Sequence, residues 1–62
     1  MQFMIVRRTE DGTTYYTGGR SDSWVFELEN AGMYKTRKAA LRKANALNDD
    51  EMYQGVAVVR EV

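Results

Sequence analysis

Ser21-Asp22-Ser23 brings hydroxyls and a carboxylate together, and Asp49-Asp50-Glu51 gathers three carboxylates. A serine hydroxyl acts as a nucleophile when a neighbouring base takes its proton, and that base is most often histidine. The chain contains no histidine and no cysteine, so neither the hydroxyls nor a thiolate can be activated in the usual way. The acidic triplet can attract a divalent cation weakly. It lacks the alternating acidic positions and turn glycine of a dedicated calcium loop. The stretch GGRSDS, residues 18–23, has glycines and serines like a phosphate cradle, but no Lys-Ser/Thr pair follows to open a helix. It reads as a connector. No catalytic constellation, metal site or cofactor site emerges, and the protein is expected not to be an enzyme.

Two other groups of residues can bind without reacting. Lys35, Arg37, Lys38 and Arg42 concentrate positive charge near the start of a helical stretch, and a helix N-terminus already attracts anions through its unpaired N–H groups. They are the candidates for anion binding. The acids Asp49, Asp50 and Glu51 stand at the other end, so the charges oppose the helix macrodipole. When exposed, each misplaced charge costs a few tenths of a kcal/mol, about the lower end of the usual range. The second group is aromatic and basic: Arg7, Arg8, Tyr15, Tyr16, Arg20 and Trp24. Tryptophan, tyrosine and arginine are the residues most enriched at protein-binding hot spots, and these six are the candidates for partner binding. Core packing of Trp24 is the competing reading.

The elements that position these groups follow from periodicity. Residues 2–8, QFMIVRR, read as a strand. Asp11-Gly12 is a hairpin signal, since a type I′ turn needs positive φ at both central positions, and residues 13–17, TTYYT, form the return strand. With Asp11-Gly12 as the loop, Arg8 faces Tyr15 and Arg7 faces Tyr16. One face then carries Phe3, Ile5, Arg7 and Tyr16; the other carries Met4, Val6, Arg8 and Tyr15. The hairpin root is expected to be central and buried, and the tip to project into solvent under Arg–Tyr contacts.

Residues 23–30, SWVFELEN, alternate. Trp24, Phe26 and Leu28 share one side, and Val25, Glu27 and Glu29 the other, which predicts a third strand with its aromatic side on the core. Thr36 is placed to cap a helix over residues 37–47. Ala40, Ala44 and Leu47 form its apolar stripe with Leu41 beside it, and the small alanines bring the helix close to a sheet. Arg37 and Lys43 flank that stripe, while Lys35, Lys38 and Arg42 lie opposite. Gly55 marks a turn. Residues 56–62, VAVVREV, are apolar on both faces at first and predict a central strand. The expected fold is α+β, a two-layer sandwich of a mainly antiparallel three- to four-stranded sheet and one helix, in the order β-β-β-α-β.

The 62 residues make one domain, residues 1–62, with a small core and no disulfide to reinforce it. Oligomerisation is a common support for so small a chain, so a homodimer is expected. Nine basic and nine acidic residues give zero formal net charge, which argues against a dedicated nucleic-acid binder. No apolar run is long enough to span a membrane or form a signal-peptide core. The expected compartment is the cytoplasm.

Residues 32–41, GMYKTRKAAL, are similar to the end of the arm-type DNA-binding domain of tyrosine recombinases. There a three-stranded sheet ends in an aromatic, Lys, Thr, basic and Ala pattern that starts the helix. Tyr34, Lys35, Thr36, Arg37, Lys38 and Ala40 carry it here. The resemblance implies a sheet that enters the major groove, with Arg7, Arg8, Tyr15, Tyr16 and Arg20 as contacts. The chain departs from that family in its zero net charge and in the strand after the helix. The full layout resembles the small orphan proteins encoded by phages and prophages of Gram-positive bacteria. The carriers are the hairpin, Trp24, the step AGMYKT at residues 31–36, Ala40 and Ala44 on the helix, and VAVVREV. That resemblance implies a non-enzymatic accessory protein of the host cytoplasm that binds a host or phage protein, including host defence components as an inhibitor. Two alternatives stand beside it: a DNA-binding accessory domain using the sheet face or basic helix, and sequestration of a small anionic ligand such as a nucleotide signal.

Overall fold

A run of four apolar residues, Phe3 to Val6, begins the first strand, and all four are buried. That strand, β1 (Phe3–Thr9), is flanked on both sides in the computed structural model, which describes residues 1–18, 23–49 and 56–62. The other elements are β2 (Gly12–Tyr16), β3 (Trp24–Val25), a 3-10 turn (Leu28–Asn30), helix α1 (Arg37–Asn48) and β4 (Val58–Glu61). The four strands form one antiparallel sheet in the order β3-β2-β1-β4. With α1 on one face this is the α+β two-layer arrangement expected from the sequence. Arg20, Ser21, Asp22, Asp50, Glu51 and Gly55 lie outside the described residues.

The hairpin corrects the expected register. Thr9 pairs with Gly12, Arg7 with Thr14 and Val6 with Tyr15, so Glu10 and Asp11 are the loop rather than Asp11 and Gly12. Gly12 supplies the unusual backbone, φ +129°, from the first position of β2. Thr9 fastens the turn: its Oγ1 donates to the Gly12 carbonyl at 2.9 Å and accepts the Asp11 N–H at 3.2 Å. Side chains in a strand alternate with a period of two. A two-residue displacement therefore changes the partners and keeps the faces. Tyr16 still shares a face with Ile5 and Arg7, and Tyr15 with Val6 and Arg8.

Two other expectations are overturned. The third strand is two residues long, not eight; after Val25 the chain bends, and Phe26 and Leu28 leave the sheet and are exposed. Backbone groups there find closer partners. Asn30 N–H donates to the Glu27 carbonyl and Ala31 N–H to the Leu28 carbonyl, both at 3.0 Å, and Gly32 N–H to the Tyr16 carbonyl at 2.9 Å. The last strand, β4, is an edge and not the centre. Among its valines Val59 packs against the core, while Val58, on the side away from α1, is exposed.

Past Tyr16, a new stretch of backbone takes over beside β1. Phe3 and Tyr34 exchange N–H and C=O groups at 2.9 and 2.8 Å. Gly32 makes this close approach feasible, because a Cβ there would collide with the Thr17 carbonyl oxygen. Gly18 is buried with φ +69°, the left-handed region that favours glycine.

Helix α1 follows its sequence signals closely. Thr36 is extended, and its hydroxyl accepts the Ala39 N–H at 3.1 Å. Ala40 and Ala44 are fully buried against Phe3, Ile5, Tyr16 and Ala57, with Leu47, Trp24, Tyr34 and Val59 completing the core. Burying Ile5 completely contributes roughly 1.5–3 kcal/mol. The first turn contains no acid and the last turn no base.

Candidate functional site

Odd-numbered positions of β1 face α1, so Arg7 emerges on the same side as the core residues Phe3 and Ile5. Its partner across the ladder is Thr14, a small side chain whose Oγ1 donates to the Arg7 carbonyl at 3.0 Å. The Arg7 guanidinium carbon lies 4.6 Å from the centre of the Trp24 ring. Trp24 in turn packs against Tyr16, with centroids 5.2 Å apart and planes tilted by 58°. Lys43 of α1 places Nζ 5.5 Å from the Tyr16 ring centre. The result is a sequence of cation, aromatic, aromatic, cation: Lys43, Tyr16, Trp24, Arg7. A second pair forms at the helix start, where the Arg37 guanidinium carbon lies 5.0 Å from the Phe3 ring centre. Each such contact contributes about 0.5–1 kcal/mol at a partly exposed site.

These contacts sort the expected site residues. Arg7, Tyr16 and Trp24 come together in contacts within the fold. Tyr16 is only 1% exposed and presents nothing to a partner. Trp24 is half-buried beneath Arg7 and beside Tyr16, so core packing describes it better than a free anchor. Across the ladder Arg7 pairs with Thr14 rather than with Tyr16, and its guanidinium lies over Trp24. Tyr15 and Arg8 are on the other face of the sheet; Tyr15 is half-buried opposite Val6 and Val25, and Arg8 is exposed. All four basic candidates, Lys35, Arg37, Lys38 and Arg42, are exposed, and Arg37 lies over the Phe3 ring.

Two features escaped the sequence reading. The first is the apolar display after β3: Phe26 is 56% exposed, Leu28 49% and Met33 42%. Alternation gave no hint of it, because a short strand followed by a 3-10 turn carries the same pattern as one longer strand. The only available cue was Asn30-Ala31-Gly32, which closes the stretch. The second is Asn48. Its amide nitrogen donates to the Ala57 carbonyl at 3.1 Å, and its amide oxygen accepts the Ala57 N–H at 2.8 Å. The side chain thus acts as one residue of a neighbouring strand and ties the end of α1 to the approach to β4.

Among the described residues, no three His, Cys, Asp or Glu side chains gather where they could hold a metal ion. No helix among them is long and apolar enough to cross a membrane. Comparison with protein-family models, with curated proteins and with solved structures finds no match. The class is therefore defined by architecture: a small α+β domain with a four-stranded antiparallel sheet and one helix, its aromatic–cation contacts turned inward and an apolar turn displayed outward.

Proposed function

We propose that this protein is a non-enzymatic accessory protein that works by holding another protein. The observation that supports the reading is the outward display of Phe26 and Leu28 on a hydrogen-bonded turn. Single exposed apolar residues are ordinary, but here two large ones, with Met33, lie within eight residues of one connection. That connection is fixed by the Glu27–Asn30, Leu28–Ala31 and Tyr16–Gly32 backbone bonds. Apolar groups already held in place lose little freedom on binding, so more of their burial appears as affinity. The layout's resemblance to small phage proteins suggests the setting: a host or phage protein as target, with host defence components the first class to try.

The test is a pull-down from a Gram-positive host lysate with the wild-type chain and the Phe26→Asp/Leu28→Asp variant. Both positions are exposed, so the variant is expected to fold with an unchanged circular dichroism spectrum. The wild type should retain one partner near stoichiometry and the variant should lose it. Absence of any partner above an unrelated control protein refutes the reading. Nucleic-acid binding remains the second reading, favoured by the exposed Lys35, Lys38 and Arg42. It requires a complex with long duplex DNA that weakens steeply with salt; no gel shift at low salt removes it.

A further inference from the structure

β4 is an edge strand, and alternate residues turn their backbone groups outward. Val62 N–H donates inward to the Gln2 carbonyl at 2.8 Å. Residues 58, 60 and 62 therefore bond towards β1, and residues 57, 59 and 61 face away from it. At Ala57 both outward groups are taken by the Asn48 amide. At Val59 and Glu61 nothing among the described residues pairs with them, since β4 ends the sheet. A short open edge of this kind accepts an added strand.

The side chains along the edge discriminate between occupants. Val58, Arg60 and Val62 share the face away from α1; Val58 is 48% and Val62 63% exposed, with Arg60 exposed between them. A second copy of the chain fits poorly. An antiparallel pair about a two-fold axis normal to the sheet keeps each residue on its own face. With the axis at Arg60, Val59 and Glu61 exchange hydrogen bonds, but Arg60 stands opposite Arg60. With the axis at Glu61, two carboxylates oppose each other. With the axis at Val59, Glu61 must bond to Ala57, whose groups Asn48 already holds. Like charges directly opposed are destabilising, so every symmetric register meets an obstacle. A different chain meets none if it brings a carboxylate to Arg60.

We propose that the outer edge of β4 receives an extended segment of a different protein, with an acidic side chain opposite Arg60 and apolar side chains opposite Val58 and Val62. This rests on reading the chain as a protein-binding module and adds the kind of segment bound. Arg60 would meet the acid at a non-hydrogen-bonded position, where opposed side chains are closest. Val59 and Glu61 would supply the backbone hydrogen bonds.

The probe is the capped peptide Thr-Val-Thr-Glu-Thr-Val-Thr, titrated into the full 15N-labelled chain beside its counterpart with Lys at the centre. The Glu peptide should bind about fivefold more tightly, as expected for exchanging an attractive for a repulsive cross-strand pair. It should also slow amide exchange at Val59 and Glu61. Arg60→Glu, an exposed substitution whose melting temperature should match the wild type, should reverse the preference. Methylating the peptide nitrogens on either side of the Glu should abolish binding. Equal affinity for the two peptides, binding without protection of Val59 and Glu61, or no binding at millimolar peptide each overturns the proposal. So does concentration-dependent dimerisation that protects those two amides, which assigns the edge to a second copy. The pull-down is independent: a partner retained there with no peptide binding refutes the edge alone, and its absence refutes the broader reading.

Discussion

Replacing Asn48 by Ala removes the clamp that joins α1 to β4. Two hydrogen bonds disappear, at 2.8 and 3.1 Å, each with a net contribution of about 1 kcal/mol. Alanine is the better helix former by roughly 0.6 kcal/mol, which reduces the expected loss to about 1.5 kcal/mol. Ala57 is buried, so any part of its N–H and C=O that water fails to reach raises the figure towards about 3 kcal/mol. A domain of this length has a total stability of roughly 3–9 kcal/mol, so the clamp represents a substantial fraction. The control is Asn45→Ala, at an exposed position of the same helix. It gains the propensity and loses no clamp, and should stabilise by about 0.6 kcal/mol. Urea unfolding followed by circular dichroism measures both. The Asn48→Ala midpoint should fall with an unchanged slope, and its melting temperature should drop by about 6–12 °C for 1.5 kcal/mol. If the two variants agree within about 0.5 kcal/mol, comparable to the propensity difference alone, the clamp does not hold the strand.

The remaining outcomes concern two glycines, the charges at the helix start and the Arg7 stack. Gly32→Ala should destabilise by more than about 2 kcal/mol, because the new methyl meets the Thr17 carbonyl. Gly12→Ala, with open space around it and only the backbone conformation to oppose it, should cost about 1 kcal/mol by the same urea assay. Lys35→Glu and Lys38→Glu should each stabilise by about 0.3 kcal/mol, as acids suit a helix start. Arg37→Glu should gain nothing in thermal melts, because the lost contact with Phe3 offsets the dipole term. A double-mutant cycle of Arg7→Ala with Trp24→Leu should give a coupling of about 0.5–1 kcal/mol; a coupling of zero would mean that the Arg7 stack is incidental.

The helix was the most legible part of the sequence. Thr36, the alanines at 40 and 44 and Leu47 each carry a local signal, and local signals of capping and spacing do not depend on the rest of the chain. The faces of the hairpin were legible for a related reason: a period of two survives a two-residue error in register. The ring contacts of Arg37 and Lys43 were half-legible. Their flanking positions beside the apolar stripe could be counted, but the aromatic rings beneath them belong to other strands. The reversed charges of α1 thus have a partial account: Arg37 has Phe3 to lie over.

Local signals were enough for the α+β class, the Thr36-capped helix and its buried stripe, and the central, doubly apolar start of β1. Which strand is an edge and which aromatic is left outside depends on contacts between distant elements. Val58 and Val59 are the same residue type side by side, yet one is exposed and the other packs on the core, because Val59 faces α1 while Val58, on the edge strand, faces away from it. Trp24 and Phe26 alternate as one strand would, yet they part company where Gly32 lets the chain return beside Thr17. Burial depends on what another element places opposite a residue, and that partner is distant in sequence.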